Sequence, residues 1–155
     1  LFCAGSLAGH GLRVVVLDHA KKPGEKIRVS GGGRCNFTNL GCGPHAFLGE
    51  NPRFATSALK RYSQHDFVKR VDRAGIAWHE KTHEGRSLGQ LFCDDSARQI
   101  IRMLTDDMRE AGAGLSLGVS VERVARAGAA RGSQRGEARA WWRERGTGSR
   151  IASWE

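Results

Sequence analysis

The chain has 155 residues, 39% of them hydrophobic, and its 25 Lys and Arg against 16 Asp and Glu give a formal net charge of +9. That length buries one modest core, so one domain is the upper limit. It contains no run of eighteen apolar residues and no basic-then-apolar leader opens it, which argues against a helical membrane span or a membrane partner and leads to the expectation of a soluble, cytoplasmic protein.

Leu1 to Ala8 is small and apolar and fits the back end of a helix, with Gly9 and Gly11 as stop residues. Leu12 to Leu17, LRVVVL, reads as a strand buried on both faces and ends in Asp18. Helix, glycine stop, buried strand and terminal acid make the second half of a dinucleotide-binding βαβ unit, in which the acid accepts hydrogen bonds from the adenosine ribose. Asp at a strand end is also a common turn former. The first strand and the G-x-G-x-x-G loop of a complete unit are missing, and Leu1 falls inside what should be the following helix. The sequence therefore reads as a fragment, an α/β, partial Rossmann-like fold.

Ser30-Gly31-Gly32-Gly33-Arg34-Cys35-Asn36-Phe37-Thr38-Asn39 is poor core material and suits a ligand-cradling loop. Glycine lacks a Cβ, so the backbone can take positive φ, come close to a bound group and turn several amides toward one anion. Arg34 adds a fixed charge suited to a phosphate or an electron-rich ring. The structural alternatives are a tight glycine turn and an Arg34 that pairs with an acid such as Glu25.

Asn51-Pro52 is expected to open a helix running to about Arg61. Ser63 and Asp66 form an approximate capping box ahead of Phe67, Val68, Val71 and Ala74, and Gly75 ends that helix. Ile76–Glu80 and Leu88–Cys93 read as strands around a polar turn at Glu84-Gly85-Arg86. Asp95 or Ser96 caps a further helix, whose Ala97, Ile100, Ile101, Leu104 and Met108 recur at three and four to form one stripe, while Arg102, Asp106 and Arg109 stay wet. Gly112 and Gly114 stop it, Leu115–Leu117 is expected as a third parallel strand, and Val119, Val121 and Val124 suggest a strand turning away.

Beyond Val124 the composition changes. Residues 125–150 contain no Val, Ile, Leu, Phe or Met, and neither a helical stripe nor strand alternation is present. Residues 1–124 carry 18 Lys and Arg against 13 Asp and Glu, and residues 125–155 carry 7 against 3. A division follows into a folded domain over 1–124 and a basic tail over 125–155, disordered or foreign to the rest, with an RNA-binding tail as the rival.

The run VVVLDHAKKPGEKIRVSGGGRCNFTN, followed by NPRFATSALKRYSQHDF, GIAWHEK, LGQLFCDDSA and an amphipathic helix, resembles the HI0933-like family of bacterial NAD(P)/FAD-dependent oxidoreductases, from about Leu1 to about Val124. The resemblance implies an FAD-binding domain of the two-dinucleotide-binding-domain flavoprotein type, with NAD(P)H as electron donor. Asp18 would hold the adenosine ribose. Gly31, Gly32, Gly33 and Arg34, with Ser30 at the loop's start, would lie along the pyrophosphate and the isoalloxazine edge, and Asn36 and Thr38 would be polar neighbours.

The implied function is transfer of reducing equivalents from NAD(P)H through FAD to an unsaturated or carbonyl small molecule, or to a base in RNA. The alternative is an inactive remnant or a nucleotide-binding module. No catalytic acid or base is identified, because a charged solvent face explains His79, Glu80 and Lys81 more cheaply. Cys3, Cys35, Cys42 and Cys93 show no C-x-x-C pair and are expected to be reduced thiols. Cys35 approaches the flavin in this reading, but packing explains it better than redox chemistry. His79 and His83 fall in a strand and loop, so no metal site is expected.

Overall fold

A computed structural model describes residues 1–51, 53–126, 138–144 and 149–154, with side chains described as far as residue 122. The chain forms two compact units, Leu1–Pro23 with Asp107–Glu155, and Gly24–Asp106. Among the described residues no helix is long and apolar enough to cross a membrane.

The first unit begins with helix α1 (Phe2–Ala8), capped by Gly9. Its Ala4 and Ala8 pack with Met108 and Ala113, and Val14, Val16 and Leu115 close over them. Small residues make this contact possible: a Cβ at Gly5 would stand 3.3 Å from the Met108 Cα. Strand β1 (Val15–Asp18) pairs in parallel with the strand at Gly114–Leu117, aligning Val15 with Gly114 and Asp18 with Leu117. The expectation that β1 is buried on both faces does not hold, since Val15 is 53% exposed. Among the described residues β1 has one hydrogen-bonded neighbour.

The unit's other sheet is antiparallel and holds strands at Val119–Arg126, Ala138–Glu144 and Ser149–Trp154. The last two lie where composition shows no alternation. Ladder hydrogen bonds are made by the backbone, and Val119 aligns with Glu144, and Ala138 with Trp154, without an apolar face to announce them. The remainder of the expected tail, 127–137, 145–148 and 155, lies outside the described residues.

The second unit opens with a helix absent from the sequence reading, α2 (Glu25–Val29), and continues through the glycine loop into strand β2 (Asn36–Asn39). Helix α3 is Thr56–Arg61 and begins later than expected. The Asn51 side chain accepts the Arg53 N–H at 3.1 Å, a local turn that competes with helix. Helix α4 (Gln64–Arg73) starts as its sequence dictates: Ser63 and Asp66 form a complete capping box, and the carboxylate accepts from both the Ser63 N–H, at 2.9 Å, and the Ser63 hydroxyl, at 2.7 Å.

Strands β3 (Trp78–His83) and β4 (Arg86–Cys93) form a hairpin, and β4 also pairs with β2, giving an antiparallel sheet in the order β2-β4-β3. The parallel strand expected at Leu115–Leu117 is observed beside β1, whereas β3 and β4 lie in this separate antiparallel sheet. The two-residue Glu84-Gly85 turn, with φ of 51° and 75°, returns the chain directly beside itself, which only antiparallel strands can do. The Phe37 ring of β2 meets Phe67 of α4 at 6.1 Å and Trp78 of β3 at 6.3 Å. Helix α5 (Ala97–Glu110) is capped by Ser96, whose hydroxyl accepts the Arg98 N–H at 3.2 Å. Its expected stripe is buried from Ala97 to Met108, with Met103 and Thr105 also covered.

Candidate functional site

The glycine loop makes a 3-10 turn over Ser30–Gly33, with φ of 58° at Gly31, 65° at Gly32 and 89° at Gly33. Cys35 also has positive φ, 55°, which a non-glycine residue rarely adopts outside special sites. Four hydrogen bonds fix the turn: Ser30 Oγ to the Ile27 carbonyl at 2.8 Å, Arg34 N–H to Gly31 at 3.3 Å, Cys35 N–H to Ser30 at 3.1 Å, and Cys93 N–H to Arg34 at 2.9 Å. The amides of Arg34 and Cys35 are thus used within the loop rather than turned toward an anion.

The three glycines are not equivalent. A Cβ at Gly31 would lie 2.6 Å from the Phe92 ring and 2.8 Å from the Asn36 nitrogen, so this position is glycine because the sheet presses on it. A Cβ at Gly32 or Gly33 would meet nothing within 4 Å, which leaves bare left-handed backbone open to a ligand. Arg34 is exposed, and its guanidinium makes no ion pair or hydrogen bond among the described residues. The alternative acid, Glu25, takes Arg28 instead, at 2.6 and 3.0 Å.

Asn36 and Thr38 sit on β2 rather than in the loop, opposite Phe92 and Leu91 respectively. Asn36 is exposed and Thr38 half-buried. Asp18 is the last residue of β1, at the carboxyl end where α/β sheets bind ligands. One of its oxygens accepts the Ala20 N–H at 2.9 Å and stands 3.6 Å from His19 Nδ1, and the other makes no hydrogen bond among the described residues. Turn formation and an open acceptor therefore coexist at Asp18. It belongs to the first unit and Ser30–Thr38 to the second.

Beside the loop lies a cavity of about 260 Å³ lined by Ser30, Cys35, Asn36, Lys26 and the apolar Ile27, Phe37, Phe67, Ile100 and Leu104. Burial pushes the Cys35 thiol up, partly offset by a hydrogen bond with Ser30. Cys93 is raised to about 11, first by burial and then by Cys35 and Asp94. Both thiols are protonated and unbridged at neutral pH. Pairing of Asn36 with Phe92 brings these cysteines near each other, a proximity their separation in sequence conceals.

Two further features escaped the sequence. His79 Nδ1 is 2.7 Å from Asp94 Oδ1, and its ring lies 6.1 Å from that of Phe92 at an interplanar angle of 16°. Lys81 Nζ stands 5.9 Å from the Phe92 centroid. The only trace in the sequence was the exposed alternation of β3. Among the described residues no group of His, Cys, Asp and Glu is arranged to hold a metal ion.

The HI0933-like protein Rossmann domain matches residues 1–140. The chain belongs to the HI0933-like family. Within it, the chain is 56% identical over 107 residues to the ribosomal RNA dihydrouridine synthase of Escherichia coli K12, covering 69% of the chain and 26% of that protein. It is 48% identical over 126 residues to the enzyme of the same name from Haemophilus influenzae, covering 81% of the chain and 30% of that protein. The HI0933-like chain thus spans less than a third of these relatives. The crystal structure of AlpK matches with a TM-score of 0.54 at 18% identity, over 98% of the chain and 27% of AlpK, a likeness of fold. The α/β, Rossmann-like class expected from the sequence is the class observed.

Proposed function

We propose that this chain is part of an FAD-dependent oxidoreductase that reduces uracil bases in ribosomal RNA to dihydrouridine with electrons from NAD(P)H. The observation that carries the substrate is the 56% identity to a ribosomal RNA dihydrouridine synthase, which extends over most of the chain. The cofactor reading is supported by the fit of the residues: bare positive-φ backbone at Gly32 and Gly33, an uncommitted guanidinium at Arg34, and an open carboxylate oxygen at the end of β1. When bound, FAD supplies the hydride-transfer chemistry.

Asp18 accepts hydrogen bonds from the adenosine ribose hydroxyls. Gly31 shapes the loop, Ser30 anchors its start, Gly32 and Gly33 let the pyrophosphate approach the backbone, and Arg34 offsets negative charge on the phosphates or the reduced ring. Asn36 and Thr38 border the loop as polar neighbours. The overall reaction consumes one hydride from NAD(P)H and one proton, converting the uracil C5=C6 double bond to a single bond and releasing NAD(P)+. The excess of basic residues favours a polyanionic substrate.

The test is anaerobic mixing of the flavin-loaded protein with NADH or NADPH, followed by ribosomal RNA lacking dihydrouridine. Bleaching by the nicotinamide, recovery on adding RNA, and RNA nucleosides heavier by two hydrogens are expected. Bleaching that RNA never reverses overturns the substrate, and failure to retain FAD points to a catalytically inactive remnant or a nucleotide-binding module without its own redox activity.

A further inference from the structure

The β2-β4-β3 sheet holds one cross-strand row of side chains of which the cofactor reading uses only Asn36. Asn36 on β2 and His79 on β3 both align with Phe92 on β4. The His79 and Phe92 rings are near parallel, and Lys81 stands over Phe92 within cation–π range. Gly31 abuts the Phe92 edge. The face is cationic in its uncommitted charges. Asp94 is engaged by His79, while Glu80 is held by the Ser87 hydroxyl and the Gly89 N–H.

We propose that this face is a docking platform for single-stranded RNA, with one nucleobase stacked on the Phe92–His79 ring pair. Lys81 neutralises a flanking phosphate, and Asn36 offers its amide to a base edge. His79, its Nδ1 fixed by Asp94, presents Nε2. Aromatic rings on an exposed sheet, bordered by cations, are what unpaired bases require, because every base has a face to stack and each nucleotide carries a charge. The choice of RNA as partner rests on the function proposed above, while the location of the platform rests on the row of side chains itself.

The test is fluorescence anisotropy of the full 155-residue chain with a labelled oligouridylate, alongside FAD titration of the same samples. Phe92→Leu is expected to weaken RNA binding about tenfold, from loss of one stacked base, and Phe92→Tyr to retain it. Lys81→Met, at an exposed position, is expected to weaken binding several-fold and to lower the salt dependence by about one charge. FAD affinity should not change in any of them. Unaltered RNA affinity in both Phe92→Leu and Lys81→Met, or equal affinity for duplex RNA, would each overturn the platform, as would a Phe92 or Lys81 variant that loses the FAD binding of the parent chain while its RNA affinity is unchanged. If Phe92→Leu does not fold, the Lys81→Met and Phe92→Tyr results decide. A chain that shows these RNA effects but binds no FAD would refute the redox reading and leave the platform standing.

Discussion

Arg34 and Asp18 are the side chains whose removal should weaken a dinucleotide most directly. Arg34→Gln, at an exposed position whose guanidinium has no partner among the described residues, is expected to lower FAD affinity about tenfold with unfolding unchanged, as read by flavin fluorescence and a urea titration. Protonation of Asp66 tests a different residue-level claim. Hydrogen bonds from Ser63 lower its pKa from 3.8 to about 2 in the folded chain. A depressed pKa adds stability above the unfolded value, and that stability is lost as pH falls from about 4 toward 2. Asp66→Asn should therefore flatten the acid limb of a plot of Tm against pH. The buried Cys35 and Cys93 thiols should react with a thiol reagent at least about tenfold more slowly than exposed Cys3 under native conditions. The strand-terminal position of Asp18 and the positive-φ turn at Gly31–Gly33 were legible because each is marked by neighbouring residues in the chain. Phe92, the His79–Asp94 pair and the nearness of Cys93 to Cys35 depend on how β4 registers with β2 and β3, and local sequence does not specify that.

Elements with strong periodicity or caps behave as their sequence demands. Helix α4 begins at a Ser63–Asp66 box and α5 buries the stripe at three-and-four spacing, so both could be read in advance. Short elements could not. Five-residue α2 has too few turns for periodicity to show, the Asn51 turn delays α3, and the strands beyond residue 137 pair through backbone without alternating side chains. Two substitutions separate the roles inside the loop. Gly32→Ala places a methyl in open space at φ 65° and should cost about 1–2 kcal/mol of conformational strain. Gly31→Ala adds a collision with Phe92 and the Asn36 backbone and should destabilise more, measured by urea unfolding of both variants. In α5, Ile100→Ala removes a side chain 1% exposed and should cost about 2–5 kcal/mol.

At the scale of the whole molecule, the parallel β1–β5 pair, where β5 is the Gly114–Leu117 strand, carries an open acid at its carboxyl end, and the second unit carries an open glycine turn followed by an uncommitted arginine. An acid at a strand's carboxyl end suits ribose hydroxyls, and open glycine backbone beside an arginine suits phosphates. Parallel pairing was legible from the helix-glycine-strand order, and the two strands around the Glu84-Gly85 turn were legible too, whereas the antiparallel pairing of β4 with β2 was not, because the two are far apart in sequence. The most direct measurement is titration of FAD into the purified chain and into Asp18→Asn and Arg34→Gln, followed by flavin fluorescence and visible absorbance. One FAD per chain, with affinity reduced in each variant and further in the double variant, is the expected result. No saturable binding to the parent chain, or binding that neither substitution alters, would contradict it.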